Sequence, residues 1–186
     1  VFGTASAFAS TVNLSTLDGT NGFRLDGEVY GDYSGRSVSS AGDINGDGYD
    51  DLIIGAYGAI INGDYSGSSY VVFGTGNAFA STVNLSTLDG TTGFRLDGEV
   101  AGDLSGRSVS SAGDINGDGY DDLIIGAYGA DINGSASGSS YVMFGTGNAF
   151  AAKVDLSTLD GTNGFRLDGV ATDDLSGFSV SSAGDI

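Results

Sequence analysis

The chain has 186 residues, 34 of them Gly, with no Pro, Cys, Trp or His and a net charge of −18. Without Cys or His there is no disulfide framework, no thiolate or imidazole metal site and no Ser-His-Asp triad. Six basic residues against 24 acidic ones cannot neutralise a phosphate backbone or an anionic bilayer surface. Nucleic acid and membrane are therefore poor partners, and hard cations held through oxygen are natural ones.

A hydrophobic content of 40% suffices for a packed interior, and no apolar run approaches the roughly 20 residues that span a bilayer. The chain is one unit repeated with a period of 71: Phe2-Gly3-Thr4 returns as Phe73-Gly74-Thr75 and Phe144-Gly145-Thr146, and Asp43 as Asp114 and Asp185. Residues 1–71 and 72–142 differ at only eight positions, and the third copy stops inside a motif that the first two complete. The expected organisation is residues 1–42 as the end of one blade and the first strand of the next, then 43–113 and 114–186 as further units. The whole reads as a window onto a longer periodic protein.

In chain order, each unit predicts short strands separated by Gly-rich turns. Ser37–Ala41 is a strand of small residues. A loop over 43–51 leads into Asp51–Ala56, an apolar strand of the type buried on both faces. Ser68–Phe73 is a third strand. Asn77–Ser81 is a candidate single helical turn, followed by Val83-Asn84-Leu85 and a turn at Asp89–Gly93. Phe94–Asp97 alternates and suits an outer, half-exposed strand. Four strands per unit, repeated, predicts an all-β fold of β-propeller blades with four antiparallel strands each, forming an incomplete ring within this chain.

The chemistry sits in the loop. Asp43-Ile44-Asn45-Gly46-Asp47-Gly48-Tyr49-Asp50-Asp51 and its copy 114–122 place oxygen side chains at loop positions 1, 3, 5 and 9, with Gly at 4 and 6. Alternate residues of a tightly curled loop point inward, and Gly supplies the left-handed backbone that the curl needs. Three carboxylates, one amide oxygen and a main-chain carbonyl at position 7 suit Ca²⁺, which takes six to eight oxygens in loose geometry. Position 12 is Ile54 or Ile125, within an apolar strand, so this is not an EF-hand. Asp50 and Asp121 read as solvated or as outer-sphere groups.

The run Gly35-Arg36-Ser37 through Gly42-Asp43, then Asp51-Leu52-Ile53-Ile54-Gly55-Ala56 and Val72-Phe73-Gly74, resembles the FG-GAP repeat of integrin alpha-subunit propellers and of large bacterial surface proteins. The resemblance covers essentially the whole chain. It implies a four-stranded blade with calcium in the loop between its first and second strands. The implied ligands are Asp43, Asn45, Asp47 and Asp51 with the Tyr49 carbonyl, then Asp114, Asn116, Asp118 and Asp122 with the Tyr120 carbonyl. Tyr57 and Tyr128 stand where the family has Pro, and the third loop keeps only Asp185, so no complete third site is expected.

Other features read as structural. Asp32, Asp103 and Asp174 are expected to cap backbone amides in turns. Arg24, Arg95 and Arg166 lie two residues before Asp26, Asp97 and Asp168, an ion pair within or between blades. Phe and Tyr residues that recur at strand positions read as core. Near-identical copies would repeat any active site, so the expected role is not enzymatic but that of a calcium-binding, extracellular, adhesive or filament-forming module. Its expected partners are copies of itself or adjacent repeats, with a glycan or a protein surface as a further ligand. The lack of Cys suits a bacterial surface. A carbohydrate-binding, lectin-like propeller is the alternative.

Overall fold

A computed structural model describes residues 1–5 and 7–183; Asp185, which opens the third loop, lies outside the described residues. The strands are β1 (Arg24–Asp26), β2 (Ser37–Gly42), β3 (Asp51–Ala56), β4 (Ser68–Val72), β5 (Thr82–Asn84), β6 (Gly93–Asp97), β7 (Ser108–Gly113), β8 (Asp122–Ala127), β9 (Ser139–Met143), β10 (Lys153–Asp155) and β11 (Gly164–Asp168). The fold is all-β, and the blades are those expected. β2, β3, β4 and β6 form one antiparallel meander, and β7, β8, β9 and β11 form the next. The described residues do not close a ring. Among them, no helix is long and apolar enough to cross a membrane.

The apolar run of β3 becomes a central strand, flanked by β2 and β4, because it has no polar face to give to solvent. Its Ile53 and Ile54 are buried, as are Leu123 and Ile125 of β8. The blades pack face to face, with Ile53, Val71, Phe94 and Leu96 of the first meeting Val109, Leu123, Ile125 and Tyr141 of the second in one apolar cluster. The innermost strands are also tied directly, the Val109 amide donating to the Ser37 hydroxyl at 3.1 Å. A bulge falls between Ser40 and Gly42, and again between Ser111 and Gly113. Gly42 and Gly113 take φ of 69° and 74° there, a left-handed kink that turns each chain out of the strand and into its loop.

Two expectations need correction. Phe94–Asp97 was expected to be half-exposed, yet every residue of β6 is buried. The following unit supplies β10, which pairs with β6 in parallel, Lys153 opposite Arg95 and Val154 opposite Leu96. A fifth strand from the next unit thus covers the outer edge of the blade, and β5 covers β1 in the same way. The helical turn lies not at Asn77–Ser81 but at Leu85–Thr87, a 3-10 turn whose start is capped by the Asn84 side chain accepting from the Ser86 amide. The same Asx cap holds Asn13 over Ser15.

Candidate metal centre

Each loop is built between the bulge at the end of the blade's first strand and the first residue of its second. In the first loop, the Asp43 carboxylate accepts from the Asp47 and Gly48 amides at 3.0 and 2.9 Å. Asn45 Oδ1 accepts from the Asp47 amide, and Asp47 Oδ1 from the Tyr49 amide, each at 2.9 Å. These are successive Asx turns, and they explain the curl: short acidic side chains fold back onto the backbone ahead of them. Gly46 and Gly48 take φ of 73° and 86°. Gly46 is also needed for space, since the Tyr120 ring of the next loop lies directly against it.

Asp51 is the deepest ligand of the first loop, 1% exposed. Its two oxygens accept from the Gly74 amide at 2.7 Å and the Ile44 amide at 3.1 Å. It thereby joins the loop to the Phe73-Gly74 pair at the end of β4, which accounts for the loop and that pair occurring together. Burial pushes its carboxyl up to about 7, and the charges of Asp47 and Asp43 add to the shift. The second loop repeats the arrangement, Asp122 accepting from Gly145 and Ile115 and Asp114 accepting from Gly117, Asp118 and Gly119. Burial raises Asp122 in the same direction.

The donor set is oxygen throughout, which fits a hard cation and no soft one. The mutual repulsion felt at Asp51 is what a cation would relieve. Among the described residues, however, no three acidic side chains are grouped so as to hold a metal ion between them as they stand. Their oxygens are turned onto main-chain amides, each of which leaves further lone pairs on the oxygen it meets. The rings of Tyr49 and Tyr120 pack on Gly74 and Gly76, and on Gly145 and Gly147.

One residue read from sequence as solvated or outer-sphere has a defined role. Asp121 Oδ2 accepts from the Asp43 amide at 2.8 Å, and the Asp121 amide donates back to the Asp43 carbonyl at 3.3 Å. The second loop therefore latches the first residue of the first. The Thr146 amide adds a bond to the Ile44 carbonyl at 2.9 Å. Only the contact between units reveals this, because loop position 8 has no partner within its own unit. Asp50, in the first loop, is exposed.

The remaining acidic residues behave as expected. Asp32 and Asp103 accept from the Val29 and Val100 amides, and Asp174 from Val170 and Ala171. Arg24, Arg95 and Arg166 pair with Asp26, Asp97 and Asp168. Arg95 and Arg166 also reach Glu28 and Glu99, at 3.0 and 2.9 Å, in the loops that lead into each blade. Tyr70 and Tyr141 donate to the same two glutamates.

The FG-GAP repeat family matches residues 34–72 and 105–143, two segments one period apart, each running from the leading turn through the loop to the end of the third strand. Drosophila melanogaster integrin alpha-PS5 is 35% identical over 97 residues, covering 52% of this chain and 9% of that protein. Xenopus laevis integrin alpha-4 is 30% identical over 110 residues, 59% of this chain and 10% of that protein. A phosphatidylinositol-glycan-specific phospholipase D of Dictyostelium discoideum is 32% identical over 143 residues, 70% of this chain and 14% of that protein. The chain thus spans a small fraction of the length of these relatives. Its repeating unit is an FG-GAP repeat of the integrin alpha-like kind, carried at residues 34–72 and 105–143.

Proposed function

We propose that the chain is a calcium-stabilised, extracellular propeller segment with a structural or adhesive role in a larger surface or filament protein, and that it has no catalytic part. The observation that carries the reading is the pair of loops. Each offers three carboxylates, an amide oxygen and a carbonyl within nine residues, anchored at one end by a bulge and at the other by a buried Asp. The Ca²⁺ ligands would be Asp43, Asn45, Asp47, Tyr49 and Asp51, and Asp114, Asn116, Asp118, Tyr120 and Asp122. The ion would neutralise the loop and fix the turn between two strands. Thermal melts of the intact chain with millimolar calcium and with EDTA test it. A midpoint that rises with calcium supports it, since a ligand held only by the folded state must stabilise that state; an unchanged midpoint sinks it.

Copies of the same chain, or adjacent repeats, are the proposed partners. The third instance of the outer strand, β11, is largely exposed, with Leu167 at 50% where its counterpart Leu96 is 0%. The segment 11–13, equivalent to β5 and β10, has its neighbours Phe8 and Leu14 at 56% and 69% exposure. Pairing one to the other would repeat a junction that the chain already makes twice. Light scattering that shows a monomer at every concentration would count against self-association.

A further inference from the structure

The eight positions at which residues 1–71 and 72–142 differ are 5, 6, 21, 30, 33, 60, 64 and 65. Four of these, Tyr30, Tyr33, Ile60 and Tyr65, line a single cleft of about 370 Å³ between the loop leading into the first blade and the loop joining β3 to β4. A fifth, Asp64, adjoins it in sequence. Of the nine tyrosines, six recur as the pairs 49/120, 57/128 and 70/141; the three without a counterpart are Tyr30, Tyr33 and Tyr65. A scaffold otherwise copied almost residue for residue therefore concentrates five of its eight differences at or beside one surface depression. Folding does not require this variation, because the second unit builds the same loops with Ala101, Leu104, Asp131, Ser135 and Ala136. Tyr33 and Tyr65 hold φ of 54° and 57°, and Leu104 and Ala136 hold 57° and 49°. The strained backbone belongs to the repeat, and only the side chains were exchanged.

From this distribution we infer that the first-unit cleft is a binding site for a neutral pyranose sugar. The chemistry of the walls selects the class. Tyr30, Tyr33 and Tyr65 are all at least half exposed, and they present apolar ring faces with hydroxyls that both donate and accept. Tyr33 is held rigid, stacked on Tyr57 with centroids 5.2 Å apart and planes 8° from parallel. It also lies against Gly58, where no Cβ would fit. Glu28 and Asp32 line the same cleft. Glu28 Oε2 already accepts from Arg95 and Tyr70, and Asp32 Oδ2 from the Val29 amide. The other oxygen of the part-exposed Glu28 is therefore the acceptor offered to a sugar hydroxyl. The nearby cation, Arg95, is committed to Glu28 and Asp97. The acidic lining repels carboxylated and phosphorylated ligands, so charge complementarity leaves a neutral ring with polar edges and an apolar face. Rigid aromatic side chains on loops held by an unvarying scaffold are how repeat folds acquire ligands. The inference rests on the adhesive reading above and gives it a ligand class.

Titration calorimetry of the intact chain with N,N′-diacetylchitobiose, cellobiose and lactose tests it, with sialyllactose as the anionic control. The expected result is saturable binding of at least one neutral saccharide at one site per chain, and none of the control. Tyr30→Ala, Tyr33→Leu, Ile60→Asp, Asp64→Ser and Tyr65→Ala together convert the cleft into that of the second unit, a sequence known to fit this backbone. They should weaken binding by about tenfold or more with the melting transition kept. The reverse graft, Ala101→Tyr, Leu104→Tyr, Asp131→Ile, Ser135→Asp and Ala136→Tyr, should raise the stoichiometry from one to two. No binding of any of the three neutral saccharides, equal binding of sialyllactose, or affinity unchanged by the conversion overturns the inference, as does capture of a protein ligand alone. Melts with and without EDTA are read separately. A calcium-dependent melt without sugar binding sinks this inference alone, and sugar binding with a calcium-independent melt sinks only the calcium reading.

Discussion

The two blades are nearly the same sequence in different surroundings. Ile44 at the second position of the first loop is 0% exposed, while Ile115 at the same position of the second is 44% exposed. Leu96 and Leu167 differ in the same sense. Arg95 and Arg166 make the same two ion pairs, but the Arg95 side chain is 9% exposed and that of Arg166 31%. The first blade is covered by a following unit on its loop and on its outer edge; the second is not, among the described residues. Local sequence therefore sets the shape of each blade, and the neighbouring unit sets how much of it is buried. This is the nearest-neighbour energetics of a repeat protein.

The sharpest way to break this comparison is to truncate the matched isoleucines. Ile44→Ala should cost about 2–5 kcal/mol, as a buried aliphatic lost from a packed cluster, and Ile115→Ala below about 1 kcal/mol. Urea denaturation of the intact chain reads both. Equal costs would mean that another copy covers the second loop in solution.

Calcium should separate the loops next. Each site held at about 100 times its dissociation constant contributes about 2.7 kcal/mol. The first loop is pinned by Asp121 and Thr146 before any ion arrives, so it pays less ordering entropy and should bind more tightly. Asp47→Ala should remove the tighter step of a calcium titration and Asp118→Ala the weaker; the opposite assignment would refute the role given to the latch.

The latch itself should be worth less. Asp121→Ala strips the Asp43 amide of its acceptor and should cost about 1 kcal/mol, while Asp50→Ala, at the equivalent exposed position, should stay within about 0.5 kcal/mol. Matching losses would show that the bond between units contributes nothing.

The last effect is one of pH. Asp103, 6% exposed, is pushed up to about 6 by burial, with the charges of Glu99 and Asp131 adding to it. The folded state then holds this proton more tightly than the unfolded chain does. Stability falls as pH rises from about 4 to about 6 and is flat above that. Asp103→Asn keeps an acceptor for the Val100 amide and removes the charge. Its advantage over the parent should grow across that window in chelated buffer, by up to about 3 kcal/mol for a shift of about two units. An advantage independent of pH would mean that Asp103 titrates normally.

Much of this was legible without coordinates. The period of 71, the positions of β2, β3 and β4, and the oxygen spacing of the loops follow from residues close in sequence, where turn chemistry and hydrophobic runs act locally. The ion pairs of Arg95 with Asp97 and of Arg166 with Asp168 were legible for the same reason, since residues two apart share a strand face. What was missed spans units. The burial of Phe94–Asp97 depends on β10, some 58 residues on. The bond from the Asp43 amide to Asp121 joins residues 78 apart. The Tyr cleft brings residues 30 and 33 against 60 and 65 across a blade that sequence alone does not fold.

By itself, the sequence determined the repeated blade and the chemical kind of its loops, because propensity, turn geometry and charge are properties of a few adjacent residues. Only the tertiary structure decided which copy of each residue is buried, which loop is braced and where the unrepeated tyrosines meet. Those follow from contact between units, and two identical stretches of chain have different energies when only one of them has a neighbour.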